Sequence, residues 1–122
     1  MKLHLSANEG ANRITAHGPG FVMVNSTRID GPLILMPDRL ISPWLVATRE
    51  AVALADFAAL IELRPELVLF GSGPAFRFPD PRIGAAFATA GIGFDVMDTP
   101  AGCRTFNVLM SEGRNVAAAL LI

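Results

Sequence analysis

The chain is expected to fold as a single α/β domain of three layers, with a central mixed sheet, helices, and a β-rich first half. Three observations lead there. Apolar segments in residues 14–46 are short and broken by Gly and Pro; the apolar period changes to that of a helix near residue 54; and residues 67–122 then alternate strand, helix, strand, helix, strand. At 122 residues one core is expected, because a chain of this size buries roughly two-thirds of the surface it exposes when unfolded. Residues 1–12 read as an N-terminal segment and 13–122 as the domain.

Ile14-Thr15-Ala16 and Phe21-Val22-Met23-Val24 flank His17-Gly18-Pro19-Gly20 and so predict a hairpin. Leu33-Ile34-Leu35-Met36 predicts a strand stopped by Pro37-Asp38. Leu40-Ile41 and Trp44-Leu45-Val46 continue as short β-prone pieces interrupted by Pro43. Phe57, Leu60 and Ile61 recur at helical spacing behind Asp56, and Arg64-Pro65 ends that helix.

Leu67 to Phe70 is too short for a helix and apolar enough for a buried strand. Asp80-Pro81 supplies an N-cap and a first-turn proline, Ile83 and Phe87 form one stripe, and Gly91 ends the helix. Ile92 to Met97 is the next strand, Asp98-Thr99-Pro100 opens a third helix, and Glu112-Gly113 closes it before a last strand in 116–122. Residues 67–70 and 92–97, joined through a helix, are expected to be adjacent parallel strands.

Composition narrows the function. Hydrophobic residues make up 52% of the chain and the mean hydropathy is +0.45, enough for a core without metal or disulfide and with apolar surface left for a protein partner. Ten basic against eleven acidic residues give a net charge of −1, which offers nucleic acid no electrostatic footprint. One cysteine and no secretory h-region at Met1–Ser6 fit a cytoplasmic protein, and no apolar run approaches the roughly 18 residues that cross a membrane. Self-association into a homo-oligomer stays open.

The chemistry-bearing candidates lie at two strand ends. Gly71-Ser72-Gly73 follows a strand in the place where open α/β sheets bind ligands. A dinucleotide loop, however, carries a third glycine and runs straight into a helix; here Pro74 removes an amide and the helix waits until about residue 81. Phe70, two before Ser72, excludes a nucleophile elbow. These glycines therefore read as backbone geometry and close packing.

The start of the helix at Thr99-Pro100 is the better anion site, since a strand runs directly into free first-turn amides. Cys103 lies near that helix start, but Cys103, Phe106 and Met110 share one apolar stripe, which makes it a core residue. Asn107 sits about 40° from Cys103, between the stripe and the polar face of Arg104 and Ser111. It reads as a tie to backbone groups, with ligand contact as the alternative.

Arg77 and Arg104 read as surface residues, or as the cation of a ligand site. His4 and His17 have no cysteine or carboxylate at ligand spacing, so neither metal nor cofactor is expected, and no catalytic residue is assigned.

Gly18-Pro19-Gly20, Pro37-Asp38 with Trp44 after it, Phe70-Gly71-Ser72-Gly73 followed by Arg77-Phe78-Pro79, then Met97-Asp98-Thr99, Cys103 to Asn107 and Glu112-Gly113-Arg114 together resemble one family. It comprises small uncharacterised bacterial and archaeal domains and also includes the mitochondrial complex I assembly factor and the adipogenesis-associated domain protein. The resemblance covers about residues 13–122 and is most specific over Asp98 to Arg114. It implies a three-layer α/β fold with a central mixed sheet, no established enzyme activity, and relatives that bind partner subunits. His17 and Ile29 stand where tyrosine is common in the family, and Ser72 where threonine is frequent.

Two functional expectations follow. One is a non-enzymatic assembly or protein-interaction module. The other is a small-molecule or anion-binding protein, an enzyme included, using Gly71, Ser72, Gly73, Thr99, Cys103 and Asn107 with Arg77 or Arg104.

Overall fold

The computed structural model describes residues 10–46, 48 and 51–122. Eight strands run in chain order: β1 Ile14–Gly18, β2 Phe21–Val24, β3 Thr27–Ile29, β4 Leu33–Met36, β5 Arg39–Ile41, β6 Leu67–Gly71, β7 Gly93–Met97 and β8 Val116–Leu120. The helices are α1 Ala58–Leu63, entered through a 3-10 turn Leu54–Phe57, then α2 Pro81–Thr89 and α3 Thr99–Ser111.

The larger sheet has the order β5-β4-β8-β6-β7. Strand β8 is parallel to β6 and antiparallel to β4, which makes the sheet mixed, and β6 lies parallel to β7 as expected. Strands β1, β2 and β3 form a separate antiparallel sheet. The hairpin turn is confined to Pro19-Gly20, because β1 continues through Gly18, which pairs with Phe21.

Alternation along the inner strands sends side chains to two cores. Ile34, Met36, Val68, Phe70, Ala117 and Ala119 face one side, where Phe57 of the 3-10 turn, Leu60 of α1, and Ile83 and Phe87 of α2 cover them. Leu33, Leu35, Leu69, Val116, Ala118 and Leu120 face the other, covered by Cys103, Phe106 and Met110 of α3 and by Ile14, Val22, Val24 and Ile29 of the small sheet. The sheet is thus the middle of three layers. Every residue of β8 is buried, as the central strand of such a sandwich requires.

Local signals set the helix starts. The Asp80 side chain accepts from Arg82 N and the Asp98 side chain from Ala101 N, each with a proline in the first turn that follows. Asp56 accepts from Ala53 N at 2.7 Å and holds the 3-10 turn.

The structure departs from the expected elements in two places. Trp44-Leu45-Val46 is not a strand. Pro43 has no amide with which to continue a ladder, and Trp44 instead donates its amide to Pro32 O and its indole N–H to Asp56 O. Its ring packs edge-on against Phe57 at 5.3 Å. The second difference is β3, a three-residue strand with two exposed positions, too short to carry a pattern. At the N-terminal side Asn12 is already tied to the end of β4, donating to Pro37 O and Met36 O.

Candidate functional site

Strands β6 and β7 end side by side, and the chain leaves both ends into one interlocked turn. Gly71 O accepts from Leu121 N at 2.9 Å, Ser72 N donates to Met97 O at 2.8 Å, and Thr99 N donates to Gly73 O at 2.8 Å. The buried Thr99 hydroxyl accepts from Gly73 N at 2.9 Å and donates to Leu121 O at 2.5 Å.

Glycine is required in this turn for two reasons. A Cβ on Gly71 would lie 2.7 Å from Leu120 Cδ2 and 2.9 Å from Thr99 Oγ1, and Gly73 has φ +109°. The loop beyond closes on itself, because Ser72 Oγ donates to Ala75 O and accepts from Arg77 N.

The first turn of α3 is similarly committed. Thr99 N is held by Gly73 O, Pro100 has no N–H, Ala101 N donates to the Asp98 carboxylate and Gly102 N to Asp98 O. Thr99, Pro100 and Ala101 are the first-turn positions that would aim donors at an anion, and in this chain two are engaged and one has no N–H, while Gly102 N makes the first intrahelical bond.

The candidate residues are distributed over three concavities. Ser72 and Arg77 line a cleft of about 370 Å³ with Val52, Phe70, Phe78 and Leu121. Thr99 lines a second, of about 360 Å³, with Phe21, Pro74, Pro100 and Ile122. Cys103, Arg104 and Asn107 line a third, of about 390 Å³, together with Ile14 to His17. Gly71 and Gly73 are buried and line none of these.

Cys103 is buried, and burial pushes its thiol up to about 11 against a smaller opposing pull from the Arg104 charge. A thiol so placed stays protonated at neutral pH and is a poor nucleophile. Asn107 uses both ends of its amide on β1, accepting from Ile14 N and donating to Ile14 O. Arg77 and Arg104 are exposed. Among the described residues no group of His, Cys, Asp and Glu could hold a metal ion; His4 lies outside them.

The structure adds a feature the sequence did not single out. Phe76 and Phe78 are 51% and 77% exposed, and their rings meet edge to face at 4.7 Å on the outside of the loop between β6 and α2. Arg77 stands between them, and Phe78 forms part of the wall of the first cleft. The available signal was a Phe-Arg-Phe triplet in a segment bounded by Pro74 and Pro79, where neither strand nor helix would bury the rings. No helix among the described residues is long and apolar enough to cross a membrane.

Fold and site together define a small two-sheet α/β domain, bonded shut at its strand ends and presenting an aromatic loop beside an apolar cleft. Residues 14–121 match the model of a family described as "Protein of unknown function (DUF498/DUF598)", and the chain belongs to that family.

The chain is 36% identical over 104 residues to the Bos taurus protein named NADH dehydrogenase [ubiquinone] 1 alpha subcomplex assembly factor 3. That match takes in 84% of this chain and 55% of the relative, so the chain spans about half the length of that assembly factor. A Xanthomonas campestris protein solved by NMR is 36% identical with a TM-score of 0.82, over 91% of this chain and 84% of that one. A Bordetella parapertussis crystal structure is 32% identical with a TM-score of 0.83, over 91% of this chain and 95% of that one.

Proposed function

We propose that the chain is a non-enzymatic protein-interaction module of the assembly-factor kind, and that it docks partners through the Phe76-Arg77-Phe78 loop. The observation that carries this reading is the exposed aromatic pair. Two phenyl rings held in water beside an apolar cleft are costly unless covered, and burying each in an interface is worth roughly 1.5 to 3 kcal/mol. Similarity to proteins named as complex assembly factors supports a protein partner. The net charge of −1 argues against nucleic acid, and a chain with one cysteine, which forms no disulfide of its own, fits a cytoplasmic location.

The test compares wild type with F78D and with V108D, a substitution at an exposed position on α3. Tagged chains capture partners from extracts of the source cell, and captured proteins are quantified by mass spectrometry. A partner retained by wild type and V108D but lost from F78D supports the reading. Equal capture by all three refutes it, and fractionation of the same cells reports the compartment.

A second reading, a small-molecule site, rests on the apolar cleft beside Thr99, which opens next to the Gly71-Gly73 turn. Thermal-shift screening with small apolar compounds tests it. A hit whose shift disappears in P100W, where an indole would intrude on the cleft, places the ligand there.

A further inference from the structure

The cleft beside the aromatic pair has an electrostatic character that narrows its occupant. Its wall is apolar at Val52, Phe70, Phe78 and Leu121, and among the described residues its ionisable side chains are Arg77 and Asp80. Asp80 is already paired: Arg82 Nη2 lies 2.6 Å from its Oδ2, and its other oxygen accepts from Arg82 N at 2.9 Å. Those bonds hold the Asp80 carboxyl below its usual value. Arg77, by contrast, makes no ion pair among the described residues, and its backbone N–H on Ser72 Oγ fixes the loop from which the guanidinium projects.

Among the described residues the cleft therefore offers an unanswered positive charge next to an apolar hollow. A guanidinium in that setting matches a planar carboxylate, which it can bind through two parallel N–H donors. A volume of about 370 Å³ is at the low end for ligand pockets, roughly 300 to 1,000 Å³, and suits a bulky side chain better than a cofactor.

We propose that this cleft takes an extended segment of a partner protein in which an acidic side chain adjoins an aromatic or aliphatic one, the carboxylate meeting Arg77 and the apolar side chain filling the hollow against Phe78. The proposal rests on the docking reading above and adds the chemistry of what docks.

A random peptide library displayed on phage and selected on the purified full chain supplies the probe, and enriched peptides are resynthesised for titration by fluorescence anisotropy. Enriched sequences are expected to carry Asp or Glu next to Phe, Trp, Leu or Ile. Their affinity is expected to fall as salt rises. R77E is expected to weaken binding at least about tenfold, since it turns an attraction into a repulsion, and peptides whose acidic residue is changed to Lys are expected to regain affinity for R77E.

Both Arg77 and Phe78 are exposed, so unchanged melting temperatures of the variants separate binding loss from misfolding. Peptides that lose binding with F78D but not with R77E overturn the acidic occupant while leaving the docking reading intact. Peptides indifferent to both substitutions overturn both. Failure to enrich any peptide overturns the segment as occupant, as does a wild-type dimer in sedimentation that F78D dissociates, which would make the occupant a second copy of this chain.

Discussion

Asn107 on α3 closes two hydrogen bonds with Ile14 on β1, 93 positions away, accepting from its amide at 2.9 Å and donating to its carbonyl at 2.7 Å. A neighbouring strand makes the same pair of bonds to a residue opposite it. The side-chain amide thus stands in for a strand along the outer edge of β1, where the register with β2 shifts between Ile14 and Ala16. A helix side chain thereby fixes the small sheet to the domain and blunts one of its edges.

That relationship predicts the outcome of N107D. The substitution removes the donor to Ile14 O and sets a carboxylate against that carbonyl, so unfolding free energy is expected to fall by about 1 to 3 kcal/mol. Denaturant titration measures it. A variant as stable as wild type that no longer binds a partner or ligand would assign Asn107 to recognition instead.

Cys103 predicts an alkaline loss of stability. Its thiol pKa is raised by burial from 9.0 to about 11, so stability is fully present below pH 9 and declines as pH rises toward 11, because the unfolded chain releases the proton first. The decline attributable to this group is on the order of 2 kcal/mol. The chain has no tyrosine and a single lysine, so few other groups titrate in that window. Chemical unfolding from pH 8.5 to 11 is expected to show a slope that C103A flattens, and an unchanged slope in C103A would contradict the assignment. Native protein should also react with iodoacetamide slowly, at a rate still rising well above neutral pH.

Thr99 predicts a contrast between two conservative substitutions. T99V deletes the hydroxyl on which Gly73 N and Leu121 O depend and is expected to cost about 2 to 3 kcal/mol. T99S keeps both bonds and loses one methyl, for about 1 kcal/mol. Equal losses in thermal or denaturant unfolding would show that packing, not the hydroxyl, holds the turn.

Gly71 predicts an overpacking penalty. Its added Cβ in G71A would press on Leu120 and Thr99, and α3 packs close on this point, where a Cβ on Gly102 would lie 3.1 Å from the same Leu120 methyl. A loss of about 1 to 3 kcal/mol is expected in denaturant unfolding. Wild-type stability in G71A would mean that the helix can withdraw without cost.

The second half of the domain was legible because its signals are local. Asp80-Pro81 and Asp98-Thr99-Pro100 carry cap and first-turn proline within a few residues, and the parallel neighbours β6 and β7 follow from a single helical connection. The small sheet was only half legible. Its hairpin is marked by Pro19-Gly20, whereas β3 has one buried residue in three.

The candidate residues were recognised as a neighbourhood, but their roles depend on pairings the linear chain does not display. Thr99 reaches Gly73 and Leu121 across 26 and 22 positions, which is how an expected anion turn is already filled by the protein's own groups. The exposure of Phe76 and Phe78 was hidden for the opposite reason, since nothing periodic distinguishes an aromatic ring that stays in water.

The place of β8 has a kinetic consequence. In the large sheet β5 and β4 form one antiparallel pair and β6 and β7 one parallel pair, and only β8, which follows all of them in the chain, touches both. Without Val116–Leu120 in place the other strands could pair only as two half-sheets with unpaired inner edges, each able to pair with the wrong neighbour or with another molecule. Insertion joins β8 to partners about 50 and 85 residues earlier, a closure whose loop entropy must be met before its contacts form. The domain is therefore expected to fold in a late, concerted step and to be most prone to aggregation just before it.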